Sequence, residues 1–246
     1  MTEQTTSKHT SLGREVLLIV GVALVLSILV RTFVAQAFFV PSSSMEDTLR
    51  IQDRILASKI TTRISGVERG EVVVFTDPSD WLPEPEPLDG LRGMLVDALT
   101  FIGLLPADTG EDLVKRVIGI EGDQVVCCDA KGRIVLNGVA LDETYLKPGD
   151  GTAQVRFDVT VPAGSVFVMG DNRADSADSR YHLGENSGGV PVDNVVGRVV
   201  AVIWPVENWS SMPIPEIFAD PRLDQPPAAG AEEPAPTVTD EAVPTP

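Results

Sequence analysis

Histidine and cysteine are nearly missing from this chain, and their scarcity removes several kinds of chemistry at once. The only histidines are His9 and His182, with neither at ligand spacing from a partner, so no metal site can be read from the sequence. The only cysteines, Cys127 and Cys128, are neighbours. Normal disulfide geometry needs separated Cα atoms, and on a strand the two side chains would point to opposite faces. Two packed free thiols are therefore expected. Basic charge is also short: 19 Lys and Arg stand against 36 Asp and Glu, a formal net charge of −17 at pH 7. That balance argues against nucleic acid, whose phosphates attract cations, and against tight electrostatic binding to anionic lipid.

What the chain does have is one long apolar run. Val16 to Val30 reads VLLIVGVALVLSILV without a charge, and TFVAQAFFV follows Arg31. Fifteen helical residues reach only about 22 Å, short of a hydrocarbon core of about 30 Å. Extending the helix to Val34 closes the gap if Arg31 snorkels to the interface. A membrane anchor over 14–34 is expected, behind an N-terminal segment over 1–13. Two other readings compete: a cleavable secretion signal ending at Ala35-Gln36-Ala37, and a buried core helix. The run is long for a signal core, and its all-round apolarity disfavours burial in a globular domain.

Beyond the anchor, short β-rich runs alternate with turns. Strands are expected at 54–60, 71–76, 113–120, 123–128, 133–136, 155–161, 165–169 and 195–204. Asn137-Gly138, between IVL and VAL, is a strong hairpin signal. The fold class is mainly β, an antiparallel domain over residues 38–215. An insertion over 79–111 interrupts it. Pro83, Pro85 and Pro87 mark an irregular loop, and Leu91, Met94, Leu95, Ala98, Leu99, Ile102 and Leu105 recur at helical spacing. That helix either packs on the sheet or lies on a membrane. From 221 to 246, Pro, Ala, Glu and Thr dominate, the composition of a disordered tail.

Three segments carry candidate chemistry. The first is Phe39-Val40-Pro41-Ser42-Ser43-Ser44-Met45, just past the anchor; alone, a plain linker is the better reading of it. The second is Asp112-Leu113-Val114-Lys115-Arg116-Val117-Ile118-Gly119-Ile120. Alternation sends Lys115 and Arg116 to opposite faces of an apolar strand. A desolvated lysine loses up to about 3–5 pKa units and can serve as a base, whereas arginine stays charged. A salt-bridged structural lysine is the plainer reading. The third is the polar run from Met169 to Tyr181, MGDNRADSADSRY, either a solvated turn or a hydrogen-bonded scaffold.

In this order, behind a membrane helix, the segments resemble bacterial signal peptidase I, also called leader peptidase. The blocks Phe39–Leu49, Arg69–Phe75, Asp112–Asp123 and Gly170–Arg180 match, and the likeness spans about residues 14–210. The resemblance implies a β domain of signal-peptidase type whose apolar surface rests on the membrane. It implies Ser44 as nucleophile and Lys115 as general base, with Ser42 and the Ser44 N–H forming the oxyanion hole. Ser176 would orient Lys115, and Asp178 and Arg180 would support the loop. Val40 and Met45 are candidates for a small apolar substrate pocket. No metal or cofactor is implied. The expected partners are secreted preproteins cut after small residues, membrane lipid and the export translocon, with no nucleic acid.

Two departures stand out: Asp47 occupies a place where the family usually has proline, and Ser43 one where it usually has glycine. The charge count around the anchor is nearly tied, Lys8 and Arg14 against Arg31 and Arg50. Placement in a bacterial cell membrane, single-pass with the N-terminus cytoplasmic, therefore follows from the implied function. Alternatives from other classes are a Ser–His–Asp hydrolase using His182, a self-cleaving repressor, and an anchored β-domain that binds exported chains without catalysis.

Overall fold

The computed structural model describes residues 12–79, 81–82, 90–101, 112–149 and 155–225. The start of the N-terminal segment, the proline loop at 83–89, Ile102, Leu105 and the tail from 226 lie outside these residues.

Helix α1 (Leu12–Phe33) begins the described chain. Its 22 residues measure about 33 Å at the helical rise, enough for a hydrocarbon core. Residues Gly13–Phe33 have a mean hydropathy of 2.6 and none of the span is buried in protein. Valines and leucines on every side face outward, as expected of a segment solvated by lipid. The helix stops at Phe33, and strand β1 (Ala35–Phe39) follows at once. The Ala35-Gln36-Ala37 triplet is thus part of a strand paired with β2 (Arg54–Ser58).

The next elements are α2 (Lys59–Ser65), capped by the Ser58 hydroxyl, β3 (Val72–Thr76), α3 (Gly90–Phe101) and β4 (Asp112–Ile120). After them come β5 (Gln124–Cys127), β6 (Ile134–Leu136), β7 (Val139–Ala140), β8 (Phe157–Thr160), β9 (Ser165–Met169), β10 (Val190–Pro191), β11 (Val195–Trp204) and β12 (Ser210–Ser211). They form two sheets. The larger runs β1-β2-β11-β3-β4-β9-β10 with β12 beside β11; the smaller runs β7-β6-β5-β8. Every strand pairing among the described residues is antiparallel. Valine-rich β3 and β4 are buried on both faces because they lie in the middle of the larger sheet. The hairpin β6–β7 turns at Asn137 and Gly138, both with positive φ (50° and 82°), the backbone that this pair of residues tolerates best.

Two expectations need correction. Cys127 and Cys128 are joined in a disulfide across a cis peptide. β5 ends at Cys127, so strand alternation does not separate the two sulfurs. Next, the expected tail does not begin at Pro221: residues 221–224 make a short 3₁₀ turn, because Leu223 is an apolar anchor buried against the smaller sheet. Its carbonyl accepts from Asn137 Nδ2 at 2.7 Å. The β domain therefore runs past 215, with Phe218 buried over Gly70. Helix α3 forms where the helical spacing placed one, and Met94 and Leu95 on its apolar stripe are exposed rather than packed on the sheet.

Candidate active site

The serine segment is shaped by its apolar residues. Between β1 and β2 the chain makes a single helical turn, in which Leu49 N donates to Met45 O at 2.7 Å and Glu46 N to Ser43 O at 2.9 Å. Met45 and Leu49 are one helical turn apart, and both are buried in the cluster that holds Phe38, Val40 and Val74. These two anchors pull the turn against the sheet and leave Ser44 just at its edge, 7% exposed. Pro41 and Ser42 remain on the surface. Asp47 has φ 83°, a conformation closed to proline, whose ring holds φ near about −65°. The turn is thus built for the residue this chain has.

Lys115 reaches the same point from β4. It lies opposite Val73 on β3 and between Leu113 and Val117 on its own face, all three buried. Its Nζ donates to Ser44 Oγ at 2.7 Å. The side chain is 3% exposed. Burial draws the amine down from 10.5 to about 8, opposed by the negative charges of Asp178, Asp171 and Asp175 and helped by Arg180. Ser42 Oγ is 3.3 Å from Ser44 Oγ. Among the described residues nothing accepts from the Ser44 N–H, which leaves a donor available beside the hydroxyl.

Arg116, on the opposite face of β4, does a different task. Its Nε and Nη2 donate to the two oxygens of Asp171 at 2.9 and 2.6 Å, and Nη1 donates to Gly70 O at 2.8 Å. The guanidinium lies 4.1 Å from the ring centroid of Tyr145. Thr48 Oγ1, from the serine turn, donates to the same carboxylate at 2.6 Å. Asp171 therefore joins the turn to β4.

The polar run after β9 is a buried scaffold, not a solvated turn. Asp178 accepts from Gly170 N at 3.0 Å, from Ser176 Oγ at 2.7 Å and from Arg180 Nε and Nη2, each at 2.8 Å. Burial opposes its charge, but Arg180 and these donors together hold the carboxyl below the usual range. Arg173, also buried, pairs with Glu143 and donates to Gly170 O at 3.0 Å. Asn172 N donates to Ser44 O at 3.0 Å, and Asn172 Nδ2 to Ser43 O at 3.0 Å.

The structure thus brings Ser42, Ser44 and Lys115 together, with Asp178 and Arg180 in the wall behind. Ser176 is buried in that wall; its hydroxyl donates to Asp178, and no hydrogen bond joins it to Lys115 among the described residues. Val40 and Met45 lie in the core under the turn and show almost no surface. His182 stacks on Trp81, ring centroids 4.2 Å apart, and bonds to neither Ser44 nor Lys115 among the described residues, so a triad using it is not assembled. Sequence reasoning passed over Thr48, Asp171, Asn172 and the Ser43–Asp175 pair, because only the fold places the serine turn beside the polar run.

A buried hydroxyl in contact with a desolvated amine, beside an unpaired N–H, has the chemistry of a serine hydrolase. Comparison with known proteins narrows that class. Residues 13–204 match the family described as signal peptidase, peptidase S26. The probable signal peptidase I of Mycobacterium leprae is 39% identical over 211 residues, covering 74% of this chain and 72% of its own. The signal peptidase I of Mycobacterium tuberculosis (strain H37Rv) is 37% identical over 219 residues, covering 80% and 74%. The probable signal peptidase I-2 of Synechocystis is 37% identical over 184 residues, covering 75% and 70%. The chain belongs to this signal peptidase family and is a serine endopeptidase.

Proposed function

We propose that this enzyme removes signal peptides from exported preproteins through a Ser44–Lys115 dyad, working from a membrane anchor. The observation that carries the reading is the 2.7 Å contact between Lys115 Nζ and Ser44 Oγ, in a buried setting that brings the amine's pKa down to about 8. Once the amine has lost its proton, the same contact reverses. The Ser44 hydroxyl donates to Nζ and passes its proton there as Oγ attacks the scissile carbonyl. The oxyanion is met by the Ser44 N–H and the Ser42 hydroxyl; losing one such donor costs about 10²–10³ in rate. The protonated amine then gives its proton to the leaving amine, an acyl-enzyme remains, and Lys115 activates the water that releases it.

The remaining residues support this centre. Asp178 and Arg180 keep the wall behind Lys115 rigid, and Ser176 orients the amine indirectly by fixing the Asp178 carboxylate. Val40 and Met45 act from the core, packing beneath the serine turn and so limiting the depth left for the small side chains before the cut. Helix α1 crosses the bacterial cell membrane once with its N-terminus in the cytoplasm. That places Ser44 about ten residues beyond the helix, at the outer lipid boundary where a signal peptide ends. Substrate preproteins come from the export translocon, and membrane lipid is the third partner.

The test is cleavage of a purified preprotein by the detergent-solubilised full chain, with the new N-terminus read by mass spectrometry. Ser44→Ala and Lys115→Ala should each lower kcat by at least about 10³-fold. Near-normal activity in either variant would remove the dyad.

A further inference from the structure

Ser43 stands where the resemblance expects a residue with no side chain, yet its hydroxyl has a partner 132 positions away. Ser43 Oγ donates to Asp175 Oδ2. The pair does not stand alone. Asn172 Nδ2 and Glu46 N both donate to Ser43 O, at 3.0 and 2.9 Å, and Asn172 N donates to Ser44 O at 3.0 Å. Asp175 N in turn donates to Asn172 O at 3.1 Å. The short segment 172–175 therefore holds the serine turn at the Ser43 side chain, the Ser43 carbonyl and the Ser44 carbonyl.

The geometry of one peptide gives these contacts a consequence. The Ser43 carbonyl and the Ser44 N–H belong to the same planar trans unit and point in opposite directions. Whatever fixes the carbonyl fixes the N–H. Two donors hold the carbonyl directly, and the Ser43 side chain ties down the residue that begins the peptide. The Ser44 N–H is the donor that no described residue engages.

Resting on the dyad reading above, we infer that Ser43 and Asp175 are positioning residues, whose hydrogen bond holds the Ser43–Ser44 peptide with its N–H aimed at the oxyanion. Neither residue touches the reacting atoms. Their effect belongs to the transition state, where the oxyanion forms, and not to substrate binding.

A double-mutant cycle on preprotein cleavage tests this, using the full chain in detergent. Ser43→Ala and Asp175→Ala should each lower kcat roughly three- to tenfold, the range that one net hydrogen bond commands, with KM unchanged. Compared well above pH 8, where Lys115 is deprotonated whether or not Asp175 is present, the double variant should be no slower than either single one, since both then remove only the same bond. Ser43→Thr, which keeps the hydroxyl, should recover most of the rate. A Ser43→Ala enzyme as fast as the parent, losses that multiply in the double variant, or an effect on KM alone would each overturn the positioning role while leaving the dyad intact. A parent chain that fails to cleave would instead remove the dyad reading, and this inference with it.

Discussion

Lys115 Nζ and Ser44 Oγ are 2.7 Å apart, and no carboxylate among the described residues forms an ion pair with that amine. Asp171 and Asp178, the buried acids nearest in charge, are each engaged by an arginine instead. Burial therefore dominates over attraction, and the amine sits near about 8.

This sets the pH dependence. The neutral amine is the working form, so kcat/KM should fall about tenfold per pH unit below pH 8 and level off above it. A pH–rate profile of preprotein cleavage measures this directly. A flat profile from about pH 6 to about pH 9 would show that Lys115 is not the titrating base.

The same desolvation makes Lys115 a burden on the fold. Keeping the amine charged, against a drop from 10.5 to about 8, costs about 3 kcal/mol. The cost is fully present below pH 8, shrinks as pH rises through the window from 8 to 10.5, and is gone above it. Lys115→Met removes the charge at similar volume, and the lost bond to Ser44 offsets only about 1 kcal/mol. The variant should be inactive yet about 2 kcal/mol more stable at pH 7, an advantage that fades towards pH 10.5. Unfolding curves of parent and variant at the two pH values would show a variant of equal or lower stability if the amine is not under strain.

How much of this was legible beforehand differs by element. Strands 165–169 and 195–204 were read to the residue, since valine-rich runs bounded by turn residues leave little choice. β1 was missed because Ala35–Phe39 continues the apolar anchor, and no composition change marks where helix becomes strand. Two-residue β10 and β12 carry no period at all. Within the site, Ser44, Lys115 and Ser42 were legible as motifs, and they do meet. Asp171 was not, because its role depends on reaching Arg116 and Thr48, 55 and 123 positions away, a relation no local pattern encodes.

Those long-range partners make the Arg116–Asp171 pair a test of the scaffold. Both side chains are buried, and removing one strands the other's charge away from water. Arg116→Met or Asp171→Leu should therefore cost about 3–5 kcal/mol, while the double variant should cost markedly less. Chemical denaturation of the three variants provides the comparison. A double variant as unstable as the sum of the singles would mean the two groups do not depend on each other.

Gly170 offers the sharpest separation of activity from folding. It follows β9 and lies between the serine turn and the wall behind Lys115; a Cβ built there would meet Ser176 Oγ and lie 2.5 Å from Ser44 O. The second contact is with backbone, which cannot swing aside as a side chain can, and that backbone is already held by Asn172 N. Gly170→Ala must therefore displace the Ser44 carbonyl, and with it the seating of Ser44 against Lys115, by about half an ångström or more to regain ordinary separation. Catalysis by positioned groups tolerates such shifts poorly, losing as much as about 10²-fold for a displacement of about 1 Å. Overpacking of this size costs the fold only about 1–3 kcal/mol. The expected result is a chain that still folds, by circular dichroism and protease resistance, but cleaves a preprotein at least about tenfold more slowly, with KM little changed. An alanine variant with full kcat would show that Ser44 has room to move that the packing around it denies.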